Sequence, residues 1–308
     1  MAKATRKSFG ETLAGLGEND DNIVVLDADL SKSTMSKLFA EKYPERFFEM
    51  GIQEANMIGV AAGLGLAGKK PFICSFACFI TGRYDTIRMS VAYSQAPVRI
   101  VGTHAGIGIG EDGNSQMGLE DLGLMRGLPN MHVFQPADDI ETKRIVEWMA
   151  ENNVPSYIRL TRQNVDDVNG PEYTFRMGKM VELIGGTDVT VMVSGGTVCH
   201  ALRAADLLGR EGISAAVVNV PTIKPIDREA IVKYGSATGH IVTVEDHNII
   251  GGLGSAVAEV LAESGGGRLT RHGLSDMFGE SGTYDDLYRK YRLDAGGIAA
   301  VVTEALRG

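Results

Sequence analysis

The sequence predicts two α/β units, each a doubly wound parallel sheet, and three observations carry that expectation. Short apolar runs of strand length alternate with amphipathic helical stretches along the whole chain, the pattern of consecutive βα units. Glycine occurs 39 times, well above average use, and concentrates where strands hand over to helices. The length of 308 residues exceeds what one typical core organises, so two units of ordinary size are expected. The expected partition is residues 1–165, a linker over 166–185, and residues 186–308.

The first helix carries Phe9, Leu13 and Leu16 on one face and ends at Gly17. Ile23–Asp27 is a short buried strand that delivers Asp27, Asp29 and the polar run Ser31–Thr34 at its carboxyl end. A helix over Met35–Tyr43 stops at Pro44, which cannot continue it. Phe48–Met50 ends the next strand, Gly51 marks a turn, and a helix begins around Glu54, the only charged residue between Met50 and Lys69. On that helix Ala55, Gly59 and Gly63 make a small-residue face beside the apolar stripe Ile58, Ala62 and Leu66, so another element can approach its backbone closely. Strand Phe72–Phe76, helical Thr81–Ser94, strand Val98–Gly102 and the Gly-rich loop His104–Met117 follow. Helix 119–127, strand 131–134, helix 138–152 and strand 156–160 complete the first unit. Between Arg162 and Gly185 the pattern weakens into a linker with a short edge strand. In the second unit, strands Val189–Val193, Ala215–Val220, His240–Glu245 and Leu269–Gly273 alternate with helices 198–210, 227–234 and 253–264, and two helices close the chain.

Composition excludes several classes. Acidic residues outnumber basic ones 39 to 30, a net charge of −9 with no basic stripe, which argues against nucleic-acid binding. No apolar run reaches membrane-span length and the first residues have no secretory h-region, so a cytoplasmic location away from membranes is expected. Cys74, Cys78 and Cys199 are odd in number and sit among apolar residues, the setting of buried reduced thiols rather than a zinc site or a disulfide.

Two apparent motifs fail on context. Gly63-Leu64-Gly65-Leu66-Ala67-Gly68 matches a dinucleotide fingerprint and, with Lys69 and Lys70, nearly a P-loop. Its glycines end a helix and precede a strand, whereas a phosphate cradle needs a strand before the loop and a helix N-terminus after it. Ligands in doubly wound sheets bind outside the carboxyl ends of the strands. Those ends carry this chain's unusual residues: Asp27 and Asp29, Phe76 and Phe79, His104 with Glu111 and Asp112, and Arg162. The loop from Thr103 to Ser115 places four glycines beside a His and two carboxylates, a composition suited to close backbone approach to a ligand. Glu54 admits two readings: a first-turn carboxylate suiting the helix macrodipole, or a buried carboxylate kept to hydrogen-bond a ligand in an apolar pocket.

Several segments together resemble the transketolase family. Gly51-Ile52-Gln53-Glu54, Thr103-His104-Ala105-Gly106 with Gly110-Glu111-Asp112-Gly113, and Thr161-Arg162-Gln163-Asn164 look like its pyrimidine-binding domain, and Ala4-Thr5-Arg6-Lys7 and Ala28-Asp29-Leu30 fit as well. Val244-Glu245-Asp246-His247 and Gly251-Gly252-Leu253-Gly254 are similar to its C-terminal domain. The likeness covers nearly the whole chain, with the motifs in the family's order. The Gly-Asp-Gly motif of the family's diphosphate-binding domain is absent. The resemblance therefore implies the C-terminal subunit of a split transketolase, joined to an N-terminal subunit that carries Gly-Asp-Gly, in an α2β2 arrangement.

Thiamine diphosphate is the cofactor so implied, with Mg2+ (or Ca2+) bound mainly by the partner and no metal ligands in this chain. The reaction implied is transfer of a two-carbon ketol unit from a ketose phosphate to an aldose phosphate. By resemblance, Glu54 bonds N1′ of the aminopyrimidine, Phe76 and Phe79 pack on its ring, and Asp29 and Ile52 complete the cofactor contacts. His104 would act in catalysis and contact substrate. Arg6 and Arg162 would bind a sugar phosphate, and Asp112 a donor hydroxyl. Two positions depart from the family: Gln116 replaces a common His that contacts the donor, and Asp27 replaces a phosphate-contacting Ser. Both are expected among the substrate contacts, and both leave room for a non-standard ketose, such as a branched or sulfonated one. The other readings are a β-type subunit of a different thiamine enzyme (1-deoxyxylulose-5-phosphate synthase-like or 2-oxoacid dehydrogenase-like), and a non-catalytic assembly partner.

Overall fold

The computed structural model describes residues 2–308. Its strands are β1 (Lys3–Ala4), β2 (Ile23–Asp27), β3 (Phe47–Glu49), β4 (Lys70–Phe76), β5 (Arg99–Thr103), β6 (His132–Phe134) and β7 (Ser156–Arg159), followed by β8 (Asn164–Val165) and β9 (Val181–Ile184). Then come β10 (Val189–Val193), β11 (Ala215–Asn219), β12 (Thr222–Lys224), β13 (His240–Asn248) and β14 (Arg268–Leu274). Seven strands form the first sheet in the order β12-β6-β7-β5-β4-β2-β3, and five form the second in the order β14-β13-β10-β11-β9.

Both sheets are parallel except at an edge, where β12 and β9 run antiparallel to their neighbours. Every residue of β2, β5, β10 and β11 is buried, because helices cover both faces and leave no solvent side to alternate towards. Over the first sheet, helices Thr5–Leu16 and Asp139–Glu151 pack together on one face, contributing Phe9, Leu13, Ile145 and Met149. Helix Glu54–Leu66 and the helical stretch ending at Tyr93 contribute Met57, Ile58 and Val91 to a second cluster. That cluster continues into the second unit through Met192, Val218, Ile223 and Leu253, so the two units share one apolar core.

From β2 the chain builds outward to β3 and then lays β4 against the other side of β2. The direction of winding reverses there, which opens a crevice outside the carboxyl ends of β2 and β4. Helix Glu54–Leu66 connects β3 to β4 across this point.

Some elements differ from expectation. Of the helix expected over Met35–Tyr43 only Lys37–Lys42 is helical; a separate helical turn, Ser31–Thr34, precedes it and ends at Met35, which takes a left-handed φ of 69°. The stretch expected as one helix over Thr81–Ser94 splits at Gly82 and Arg83 into Ala77–Thr81 and a segment from Tyr84, π-helical over Ile87–Tyr93. The expected linker supplies β8, which pairs with β1, and β9, an edge strand of the second sheet. Strand β12 was not foreseen: Pro221 and Pro225 leave three residues that read as loop, yet an edge strand tolerates such flanks. Through β12 the second half of the chain closes the edge of the first sheet. The three cysteines are free; Cys74 is buried, while Cys78 and Cys199 are only half-buried. Among the described residues no helix is long and apolar enough to cross a membrane.

Candidate active site

Glu54 is the first residue of its helix, but it does not face water as a simple first-turn carboxylate would. It is 4% exposed. Among the described residues no hydrogen bond reaches its carboxylate, and its nearest cation, Arg83, stands at 3.9 Å, beyond hydrogen-bonding reach. A buried carboxylate without a donor is costly to keep, so the geometry fits a group reserved for a ligand's N–H.

The carboxyl end of β4 turns directly into helix Ala77–Thr81, which sets Phe76 and Phe79 in a stack with centroids 5.5 Å apart and planes 11° apart. Phe76 also stacks with His104, at 3.8 Å and 24°. His104 leaves β5 in the left-handed region, with φ 58°, a conformation that tertiary contacts must hold. The contacts are specific. Its Nδ1 is 2.8 Å from Thr103 Oγ1, which itself donates to the Ser75 carbonyl at 3.3 Å, so Nδ1 carries the proton. Its Nε2 is 3.1 Å from Arg6 Nη1 and therefore accepts. Burial, and then the charges of Arg6 and Arg162, hold its pKa down to about 3. The imidazole is thus neutral in the free protein, and it disfavours unfolding above pH 6.5 but loses that contribution as acid charges the unfolded ring. Nitrogen-detected NMR should show an Nδ1–H neutral tautomer from pH 5 to 8; a His104 signal titrating near 6.5 would refute this electrostatic account.

Arg6 and Arg162 approach each other at the mouth of a cavity of about 380 Å3, also lined by Gly108, Ile109, Gly110 and Tyr284. Arg6 lies in the first turn of helix Thr5–Leu16 and donates to the Ser33 carbonyl at 2.6 Å, while its Nε is buried without a partner. Burial and the facing Arg162 lower its pKa. Arg162 bonds to the Ile109 carbonyl and pairs with Asp112 at 3.4 Å, both side chains being more than a third exposed. Two guanidiniums thus converge beside a neutral imidazole, in a cavity that Glu111 also lines and where Asp112 already pairs with Arg162.

The remaining expected contacts lie elsewhere. Asp27 is fully buried and turned away, accepting from Thr34 and Ser36 hydroxyls at 2.7 and 2.8 Å and from the Leu30 amide at 2.7 Å. Burial outweighs these donors and raises its pKa to about 6. Its charge is therefore directed into the Leu30–Ser36 loop rather than at the Arg6–Arg162 cavity. Asp29 is exposed at φ 63°, its amide bonded to Glu49 at 2.7 Å, and Glu49 also accepts from Gly51. Ile52 is 74% exposed. Gln116 is half-buried on the short turn Asn114–Gln116. Two residues outside the expected set matter: Thr103 fixes the His104 tautomer, and Glu49 ties the Asp29 loop to the Gly51 turn. Thr103 was within reach of the sequence, as the neighbour of His104 at the strand end; nothing local marks Glu49.

Comparison with known proteins bears on the family and the fold. The family model of the transketolase pyrimidine-binding domain matches residues 1–167, and that of the transketolase C-terminal domain matches residues 178–298. A putative transketolase C-terminal section of Methanocaldococcus jannaschii is 48% identical over 309 aligned positions, covering 99% of this chain and 97% of that one. A 6-deoxy-6-sulfo-D-fructose transketolase subunit of a Clostridium species is 40% identical over 97% of this chain and 93% of its own. A solved split-gene transketolase, described as an inactive β4 tetramer, superposes with a TM-score of 0.92 at 48% identity over 99% of this chain and 98% of that chain. The chain belongs to the transketolase family, as the section that carries the pyrimidine-binding and C-terminal domains.

Proposed function

We propose that this chain is the C-terminal subunit of a two-chain transketolase that moves a two-carbon ketol unit from a ketose phosphate to an aldose phosphate. The observation that carries the reading is Glu54, a buried carboxylate with no hydrogen-bond donor among the described residues. The residues present fit the aminopyrimidine end of thiamine diphosphate: an unsatisfied carboxylate for its ring nitrogen, and the half-buried Phe79 ring in stacking position over Phe76. When bound, the cofactor supplies the nucleophilic carbon of its thiazolium ring. Glu54 shares a proton with N1′ and so sets the tautomer of the aminopyrimidine, an interaction that burial strengthens by excluding water. His104 Nε2, which accepts from Arg6 in the free chain, becomes an acceptor for a substrate hydroxyl when Arg6 turns to the phosphate; Arg6 and Arg162 hold that phosphate, and Asp112 accepts from a donor hydroxyl. The diphosphate and its metal belong to the partner subunit with the Gly-Asp-Gly motif.

Helix Glu54–Leu66 presents the surface on which chains would meet. A side chain at Gly59 or Gly63 would find no atom within 4 Å, and Ile52, Val60 and Leu66 stand exposed around them. A small-residue face left open beside exposed apolar side chains suits close packing of another helix. The donor sugar is the less determined part of the reading. Gln116 can donate a hydrogen bond but cannot carry a charge, and a relative's name places a sulfonated ketose within the family's range.

The direct test mixes this chain with the chain encoded beside it, adds thiamine diphosphate and Mg2+, and follows ketose consumption. Turnover is expected only from the mixture. Full activity from this chain alone would sink the two-chain reading, and an inactive mixture that binds the cofactor would favour the assembly-partner alternative.

A further inference from the structure

The loop that begins at His104 and ends at Asp112 is held from below by the other half of the chain. Asp246, on β13, is buried, and its Oδ1 accepts the Ile107 amide at 2.8 Å while its Oδ2 accepts the Tyr288 hydroxyl at 2.9 Å. The Gly108 amide also faces this carboxylate and favours its charged form. The fit leaves no slack: Gly106 has φ 79°, and a Cβ there would lie 2.1 Å from Asp246 Oδ2. Tyr288 in turn receives a hydrogen bond from Gln163, next to Arg162, and packs at a 47° tilt against Tyr284, which lines the Arg6–Arg162 cavity, with ring centroids 4.3 Å apart.

The strand beneath is itself clamped to the first unit. Arg159, buried at the end of β7, donates to Asp121 at 2.9 Å and to the main-chain carbonyls of Gly118 and Asp246, each at 2.8 Å. The Tyr157 hydroxyl adds a 2.6 Å bond to Asp121. Asp246 therefore stands at a fixed height under the loop, and its charge is spent on loop amides rather than on any group in the second unit apart from Tyr288.

We propose that Asp246, backed by Tyr288, is a positioning residue of the C-terminal domain that moulds the His104–Asp112 loop and thereby sets the spacing of His104 and Arg162 around the substrate anion. The chain of cause is short. Asp246 fixes the Ile107 and Gly108 amides, Ile109 follows them, and the Ile109 carbonyl anchors Arg162. His104, three residues before Ile107, enters the same loop with φ 58°. This gives the C-terminal domain, whose Tyr284 also lines the cavity, a defined part in shaping the site. The proposal rests on the reading of the Arg6–Arg162 cavity as the anion site.

The experiment uses the full chain with inorganic phosphate as probe. Amide exchange over residues 105–112 is compared among wild type, Asp246→Ala, Asp246→Asn and Tyr288→Phe, together with phosphate affinity read from the His104 NMR signal. Asp246→Ala should speed exchange of Ile107 and Gly108 and weaken phosphate binding, each by about tenfold, the scale of one lost buried hydrogen bond. Exchange in helix Glu54–Leu66 and β4 should stay at wild-type rates. Asp246→Asn should recover most of both effects, since its amide oxygen can still accept from Ile107 and its NH2 can donate to the Tyr288 oxygen. Tyr288→Phe keeps the ring packed against Tyr284, should give a smaller change of the same sign, and decides the matter if Asp246→Ala does not fold. Loop exchange that stays at wild-type rates, or that rises equally across β10, β11 and β13, would overturn the positioning role. Wild-type protein that ignores phosphate would instead refute the anion reading of the cavity, and the exchange measurements would still decide the pinning.

Discussion

Glu54→Gln is expected to lower turnover of the reconstituted two-chain enzyme by about 10²–10³-fold, the scale of losing one preorganised electrostatic group in a water-excluded site. Glutamine has the same shape, and no hydrogen bond in the free chain depends on the carboxylate, so fold and assembly should be unchanged. What Gln cannot do is take a share of a proton from the cofactor's ring nitrogen. The loss should therefore fall on kcat, with donor KM changed little, because Glu54 lies away from the Arg6–Arg162 cavity. Thermal unfolding and steady-state rates measured on the same preparation separate the two effects. Rates close to wild type in the variant would refute the proton-sharing role.

Arg162→Ala should cost about 10–100-fold in kcat/KM for phosphorylated donors, since a charge-assisted hydrogen bond contributes about 1.5–3 kcal/mol when its partner is desolvated. A non-phosphorylated hydroxyketone donor should be affected far less. Arg6→Ala should show the same split, with a further loss from freeing His104 Nε2. The comparison of donors is the informative part. Equal losses with both would mean that the arginines shape the loop, through Arg162 on the Ile109 carbonyl, and do not read a phosphate.

Much of the site was legible because its residues stand at strand ends, and strand ends can be located from the alternation of apolar runs. Phe76 closes β4, His104 follows β5, and Arg162 comes three residues after β7. Arg6 was legible only through family likeness, since a charge in a chain's first residues has no local signature of function. The irregular elements were harder. The split at Gly82 and Arg83 and the left-handed Met35 depend on how each segment meets its neighbours, not on its own helical preference. Strand β12 is three residues between prolines, and its pairing with β6 involves a segment about ninety residues away in sequence.

The sequence by itself determined the alternating α/β plan, the helix start at Glu54, the Gly-rich loop after β5 and the absence of a Gly-Asp-Gly motif. These follow from local periodicity and residue type, which neighbours along the chain encode. Tertiary structure alone decided that Glu54 is buried without a donor and that Asp27 turns inward to Thr34 and Ser36, away from the Arg6–Arg162 cavity. It alone brought Asp246 under a loop that lies 139 residues earlier. Burial and the direction of a carboxylate depend on what packs against it, and those partners come from distant parts of the chain. No local pattern records them.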